Sequence, residues 1–129
     1  MNVVADASAL LAIYLGEPEA EQFTDVLLRN ESVVSPVNLW ESAVRVHGLE
    51  GAVGVADLRT ALGRLGVSVT PVSEAHAWAA VEAFARFGRR TPAGLNLGDC
   101  FAYALAQLSD SALLYKGDDF PLTDVRSAL

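Results

Sequence analysis

The chain has 129 residues, 52% of them hydrophobic, and a net charge of −7. Its mean hydropathy of +0.31 excludes intrinsic disorder and leaves apolar surface for a partner. A single Cys100 excludes a disulfide framework and a cysteine-based zinc site, and the acidic balance argues against a general nucleic-acid binder, which is usually basic. The N-terminus lacks a basic segment, and Asp6 interrupts its apolar run, so it does not read as a signal peptide. No stretch approaches the roughly 20 apolar residues of a membrane span. A cytoplasmic protein with one domain over residues 1–129 is expected.

In chain order, Asn2–Ala5 reads as a short buried strand and Ser8–Leu15 as a helix with Ser8 as its cap. Gly16 ends that helix, and Pro18 suits the first turn of a second one running to Arg29. Ser32–Ser35 is a second strand, followed by a helix from Pro36 to His47. Gly48, Gly51 and Gly54 predict a loose connection before a helix over Val55–Leu65. Val67–Val72 alternates as a third strand. Ser73 caps the next helix, whose Ala77, Ala80, Val81, Phe84 and Phe87 form an apolar stripe. Residues 88–97 read as a loop, Leu97–Leu108 as a helix, Ala112–Tyr115 as a fourth strand and Leu122–Val125 as a short fifth. Strands alternating with helices imply a mainly parallel sheet of four to five strands, covered by helices on both faces in an α/β/α sandwich.

Acids punctuate this layout. Asp6 follows the first strand, Glu41 lies inside the Pro36 helix, Asp99 opens the Leu97 helix, and Asp118-Asp119 follow the fourth strand. Each has a simpler alternative: a helix-dipole acid at Asp6, an i,i+4 pair of Glu41 with Arg45, a first-turn cap at Asp99 and a turn at Lys116-Gly-Asp-Asp. Ser8 can cap its helix or hydrogen-bond the Asp6 carboxylate. Together, however, three of these positions fall at strand ends or strand-to-helix junctions, the sheet edge where α/β proteins bind ligands, and crowded carboxylates need a cation. Oxygen donors without His or Cys select Mg²⁺ or Mn²⁺. Such a site suits phosphodiester hydrolysis by metal-activated water. Eight of the nine basic residues are Arg, and Arg86, Arg89 and Arg90 are candidates for phosphate contacts.

The pattern resembles the PIN domain, specifically the VapC-type ribonuclease toxins of toxin–antitoxin pairs. The resemblance rests on Val3-Val-Ala-Asp-Ala-Ser-Ala-Leu-Leu11, on Glu41 in its Pro36-led helix, on the Ala93–Ala106 segment around Leu-Gly-Asp99-Cys, and on Leu113-Leu-Tyr-Lys-Gly-Asp-Asp-Phe120 with Thr123-Asp124 after it. It implies a PIN-like fold, an Mg²⁺- or Mn²⁺-dependent endoribonuclease, and metal-binding acids at Asp6, Glu41, Asp99 and Asp119, with Asp118 as the other choice for the fourth. Ser8 and Thr123 would support them. It further implies a homodimer with RNA as substrate, silenced by a small VapB-like antitoxin in a heterotetramer or larger complex. The helices at 8–15 and 18–29 are candidates for the antitoxin groove or the dimer seam.

Two alternatives belong to other classes. A haloacid-dehalogenase-type phosphatase would need a second acid two residues after Asp6, where Ser8 stands. A PIN-like module that binds RNA or a partner without cutting it would not need the full set of acids.

Overall fold

Residues 2–129 are described by a computed structural model. The strands β1 (Asn2–Ala5), β2 (Glu31–Val34), β3 (Val67–Val69) and β4 (Ala112–Leu114) form one parallel sheet in the order β3-β2-β1-β4. Parallel neighbours cannot be joined by a tight turn, and every crossover here carries helix. Helices α1 (Ala7–Tyr14) and α2 (Ala20–Arg29) connect β1 to β2, α3 (Pro36–Leu65) leads to β3, and α4 (Glu74–Phe87) and α5 (Leu97–Leu108) lead to β4.

The run Val3-Val4-Ala5 is apolar throughout because both faces of β1 are covered. Val3 and Ala5 pack with Leu10, Phe23, Leu27 and Leu58 on the side of α1, α2 and α3. Val4 points the other way and packs with Leu113, Cys100 and Leu105 against α4 and α5. Three layers result, with β1 central and paired through Val4 to both Val33 and Leu113.

Several elements differ from the sequence expectation. The cap of α1 is Asp6 rather than Ser8, because the Asp6 side chain accepts the Ser8 N–H. Helix α2 begins at Ala20, which leaves Pro18 in the preceding turn. No loose connection separates two helices after His47: α3 runs as two helical arms that meet at Gly51, where φ is 71° and ψ is −160°. Burial of Val46 in the first arm and of Leu58, Leu62 and Leu65 in the second outweighs the low helix propensity of the glycines. Strand β3 stops at Val69.

The stripe expected on α4 is split. Ala80 and Ala83 are buried beside α5, whereas Val81 and Phe84 stand 56% and 54% exposed, because the two alanines let the helices approach closely there. The fifth strand does not form. Phe120–Leu122 is a 3₁₀ turn containing Pro121, closed by the Thr123 hydroxyl donating to the Phe120 carbonyl. Ser127 then makes only an isolated parallel bridge to Leu113. The bounds of α5 agree with the expectation, and Ser73 caps α4 as expected.

Two glycines of α3 should respond oppositely to alanine. Gly51→Ala forces a side chain into a backbone region open essentially to glycine alone and should destabilise by about 1–3 kcal/mol. Gly48→Ala, in regular helix with nothing within 4 Å of the added Cβ, should stabilise by up to ~1 kcal/mol. Urea denaturation of the two variants checks the contrast.

Candidate active site

Asp6 follows the last residue of the central strand, where its N–H donates to the Leu114 carbonyl at 2.9 Å and so continues the β1–β4 ladder. The side chain is 4% exposed. Its Oδ2 accepts the Ser8 N–H at 3.1 Å and the Ser8 hydroxyl at 2.6 Å. Ser8 Oγ in turn accepts the Lys116 N–H at 2.9 Å, tying the end of β4 to the start of α1. Burial raises the Asp6 pKa; the Ser8 hydrogen bonds oppose that rise, and the nearby Glu41 charge adds to it.

Glu41 lies on the second turn of α3, a helix started by Ser35, whose hydroxyl accepts the Val37 N–H, and by Pro36 in the first turn. Its bonded neighbour is Asn38, three residues earlier, rather than Arg45 four residues later: Asn38 Nδ2 donates to Glu41 Oε1 at 2.9 Å. The same amide donates to the Gly98 carbonyl at 2.9 Å. Glu41 therefore lies against the first turn of α5, close enough to Gly98 that a Cβ there would overlap its carboxylate. Partial burial raises its pKa, Asn38 lowers it, and Asp99 raises it further. Asn38 Oδ1, on the far side of the amide, is buried without a hydrogen-bond partner among the described residues, which typically costs about 1–3 kcal/mol.

Asp99 is the third residue of α5 and closes a capping box with Asn96. Asn96 Oδ1 accepts the Asp99 N–H at 2.9 Å, and Asp99 Oδ2 accepts the Asn96 N–H at 3.0 Å. Burial pushes its pKa up to about 6, with smaller contributions from the charges of Asp6 and Asp119. Asp118 and Asp119 are both exposed in the segment after β4, but of the two only Asp119 figures among the charges acting on Asp99.

The structure thus brings Asp6, Glu41 and Asp99 from three elements to one edge of the sheet, with Asp119 beside them. Of the remaining candidates, Ser8 bonds the Asp6 carboxylate, whereas Thr123 and Arg86 bond other groups. Both Thr123 side-chain hydrogen bonds stay within its own turn, to Phe120 and Val125. Arg86 is committed to Asp124 at 3.2 Å and lies over the Phe87 ring, while Tyr103 also donates to Asp124. Arg89 and Arg90 are exposed on the loop before α5. Sequence reasoning missed Asn38 and Gly98. The first carried a signal, an i,i+3 spacing to Glu41 on one helix face; the second had none, since its neighbour is distant in sequence. It also missed Lys116, which bridges Glu17 at 3.0 Å and Glu19 at 3.2 Å.

The donor chemistry fits a hard divalent cation. Each acid is anchored through one oxygen (Oδ2 of Asp6, Oε1 of Glu41, Oδ2 of Asp99), and among the described residues the second oxygen of each accepts no hydrogen bond. Among the described residues no three His, Cys, Asp or Glu side chains stand close enough together to chelate one ion as placed. Like charges facing one another at this edge oppose closer approach.

An all-parallel sheet with acids at the carboxyl end of its central strand places this chain in a recognisable class. It matches the PIN domain family over residues 3–125. The chain is 40% identical over 125 residues to "Ribonuclease VapC" of Mycolicibacterium smegmatis, covering 95% of this chain and 97% of that protein. It is 38% identical to "Ribonuclease VapC30" of Mycobacterium tuberculosis, covering 95% of each. Among solved structures, a toxin–antitoxin complex from Klebsiella pneumoniae superposes with a TM-score of 0.75 at 20% identity, covering 95% of this chain and 92% of that one. The chain belongs to the PIN-domain family and, within it, to the VapC-type ribonucleases.

The metal-free protein should lose stability as pH rises from the ordinary aspartate value of 3.8 to about 6. The native state keeps the Asp99 proton to higher pH than the unfolded chain does, so deprotonation favours unfolding across that window. Asp99→Asn should flatten this part of the curve. Thermal melts at stepped pH in EDTA check it, and an unchanged slope would refute the burial-driven shift.

Proposed function

We propose that this chain is a divalent-metal-dependent endoribonuclease, the toxin of a toxin–antitoxin pair, which hydrolyses RNA phosphodiester bonds at the acidic edge of its sheet. One observation carries this reading: Asp6 at the end of β1, Glu41 on α3 and Asp99 on α5 lie at one edge of the sheet, where the Asn38 amide ties Glu41 to the residue beside Asp99. The names of the relatives support ribonuclease activity. The toxin–antitoxin complex among the structural neighbours supports a small antitoxin as partner.

Asp6, Glu41, Asp99 and Asp119 would hold Mg²⁺ or Mn²⁺. Asp119 is preferred to Asp118 because its charge reaches Asp99. The ion supplies Lewis acidity that polarises water and the phosphoryl oxygens. The chain itself supplies rigid placement. Asp6 is held at the end of the central strand by Ser8, Asp99 is held by the Asn96 capping box, and Glu41 is held by Asn38. Without a cation, these acids repel the RNA backbone. Arg89 and Arg90, exposed on the loop leading to α5, are suited to phosphate contacts. Arg86, paired with Asp124, is less so. The reading takes residues 1–129 as one domain acting in the cytoplasm, as a homodimer that assembles further with antitoxin. Among the described residues, no helix is long and apolar enough to cross a membrane.

Purified, antitoxin-free protein incubated with a mixed RNA pool should cut in Mg²⁺ or Mn²⁺ and not in EDTA. Asp6→Asn and Asp99→Asn should each lose at least about 100-fold in rate, since even changes to the groups that hydrogen-bond metal ligands cost about 10–100-fold. Circular dichroism should show both variants folded. Cleavage in EDTA, or full activity in either variant, would overturn the site.

A further inference from the structure

We propose that Asn38 and Gly98 are positioning residues that together seat the Glu41 carboxylate against the first turn of α5, in the orientation in which it serves a divalent cation. The inference rests on the metal-site reading above and deepens it.

Asn38 is fully buried, with 0% of its surface exposed. Its amide faces two acceptors, the Gly98 carbonyl and Glu41 Oε1, each at 2.9 Å. Since both neighbours accept, only the NH₂ side of the amide can face them, and the orientation is unambiguous. That orientation leaves Oδ1 buried and unpaired. A buried polar atom without a partner calls for an explanation. Fold stability does not provide one, because an apolar side chain at position 38 would remove the unpaired Oδ1 and forgo only the bonds to Glu41 and Gly98. Holding Glu41 does, because the same amide fixes the acid and ties α3 to the start of α5.

Gly98 completes the seat from the other side. It is buried in the first turn of α5, and its φ is not in the positive region where glycine is needed for its backbone. Space is what requires it, because a Cβ at this position would overlap both oxygens and Cδ of Glu41. The overlapped atoms are the far end of a flexible side chain, so adding that Cβ would displace the carboxylate rather than disrupt the fold. A displaced Glu41 has an alternative partner in Arg45, one turn along α3. The seat keeps it from that solvent-facing pair.

The test is Mn²⁺ binding to the full-length protein by calorimetry, with metal-free melting measured in parallel. Asn38→Ala and Gly98→Ala should each weaken Mn²⁺ binding by about tenfold or more. Neither should weaken it further when combined with Glu41→Ala, because both act through that side chain. Gly98→Ala should melt, without metal, at the same or a higher temperature than wild type, since alanine favours helix; this variant carries the test if Asn38→Ala does not fold. Unchanged Mn²⁺ affinity in a folded single variant would overturn the role of that residue. Further loss in the Glu41→Ala background would overturn the seat and assign a general structural effect. Wild-type Mn²⁺ affinity in Glu41→Ala itself would instead overturn the metal-site reading, and the inference with it.

Discussion

Asp6 sits at the end of the central strand with 4% of its surface exposed, where an ionised carboxylate has lost nearly all its water. Such a group is tolerated only when hydrogen bonds replace its hydration and its charge is offset. Ser8 supplies the hydrogen bonds, two of them to one oxygen. Among the described residues nothing nearby supplies the offsetting charge, since the charged groups that reach Asp6 and Asp99 electrostatically are themselves acids. Lys116, the one lysine in the chain, has its backbone N–H bonded to Ser8 but its ammonium turned to Glu17 and Glu19. The edge is thus left with a net negative charge held in place by the fold.

The fold uses helix starts to do this. Asp6 caps α1 and Asp99 belongs to the capping box of α5, while Glu41 stands on the second turn of a helix begun by Ser35 and Pro36. A carboxylate at a helix N-terminus faces free N–H groups and the positive end of the helix dipole. Asp6 and Asp99 are therefore stabilised through one oxygen by backbone N–H groups, and Glu41 through one oxygen by the Asn38 amide. The structural interpretation of Asp6 and Asp99 as caps and the functional interpretation as site acids are compatible, because they use different oxygens of the same group.

Local periodicity made the parallel α/β layout legible, as well as α5 to the residue and the sheet edge at which the acids meet. It failed where tertiary contacts decide. Glycines at 48, 51 and 54 predict a break, but the buried leucines of the second arm of α3 keep the chain helical on both sides of Gly51. The α4 stripe predicts a broad apolar contact, but the close approach through Ala80 and Ala83 leaves Phe84 outside. The candidate acids could be named from their positions after strands and at helix starts. Their mutual placement could not, because Asn38 meets Gly98 across 60 positions of sequence, and no spacing rule relates such residues. The partner of Arg86 was hidden for a similar reason: the Asp124 that pairs with it lies 38 residues away.

The pairing of the first strand with the last has a consequence for the order of events during synthesis. Asn2–Ala5 leaves the ribosome long before its partner Ala112–Leu114 is made. The Asp6 N–H finds its acceptor only in Leu114, and the Ser8 hydroxyl is bridged only by Lys116. Contacts of such long sequence separation form late. A growing chain therefore carries its principal acid unplaced until β4 and Lys116 have been added, so a chain cut short before them lacks the assembled edge. In such a chain, topology itself delays the appearance of activity until its last strand has been made.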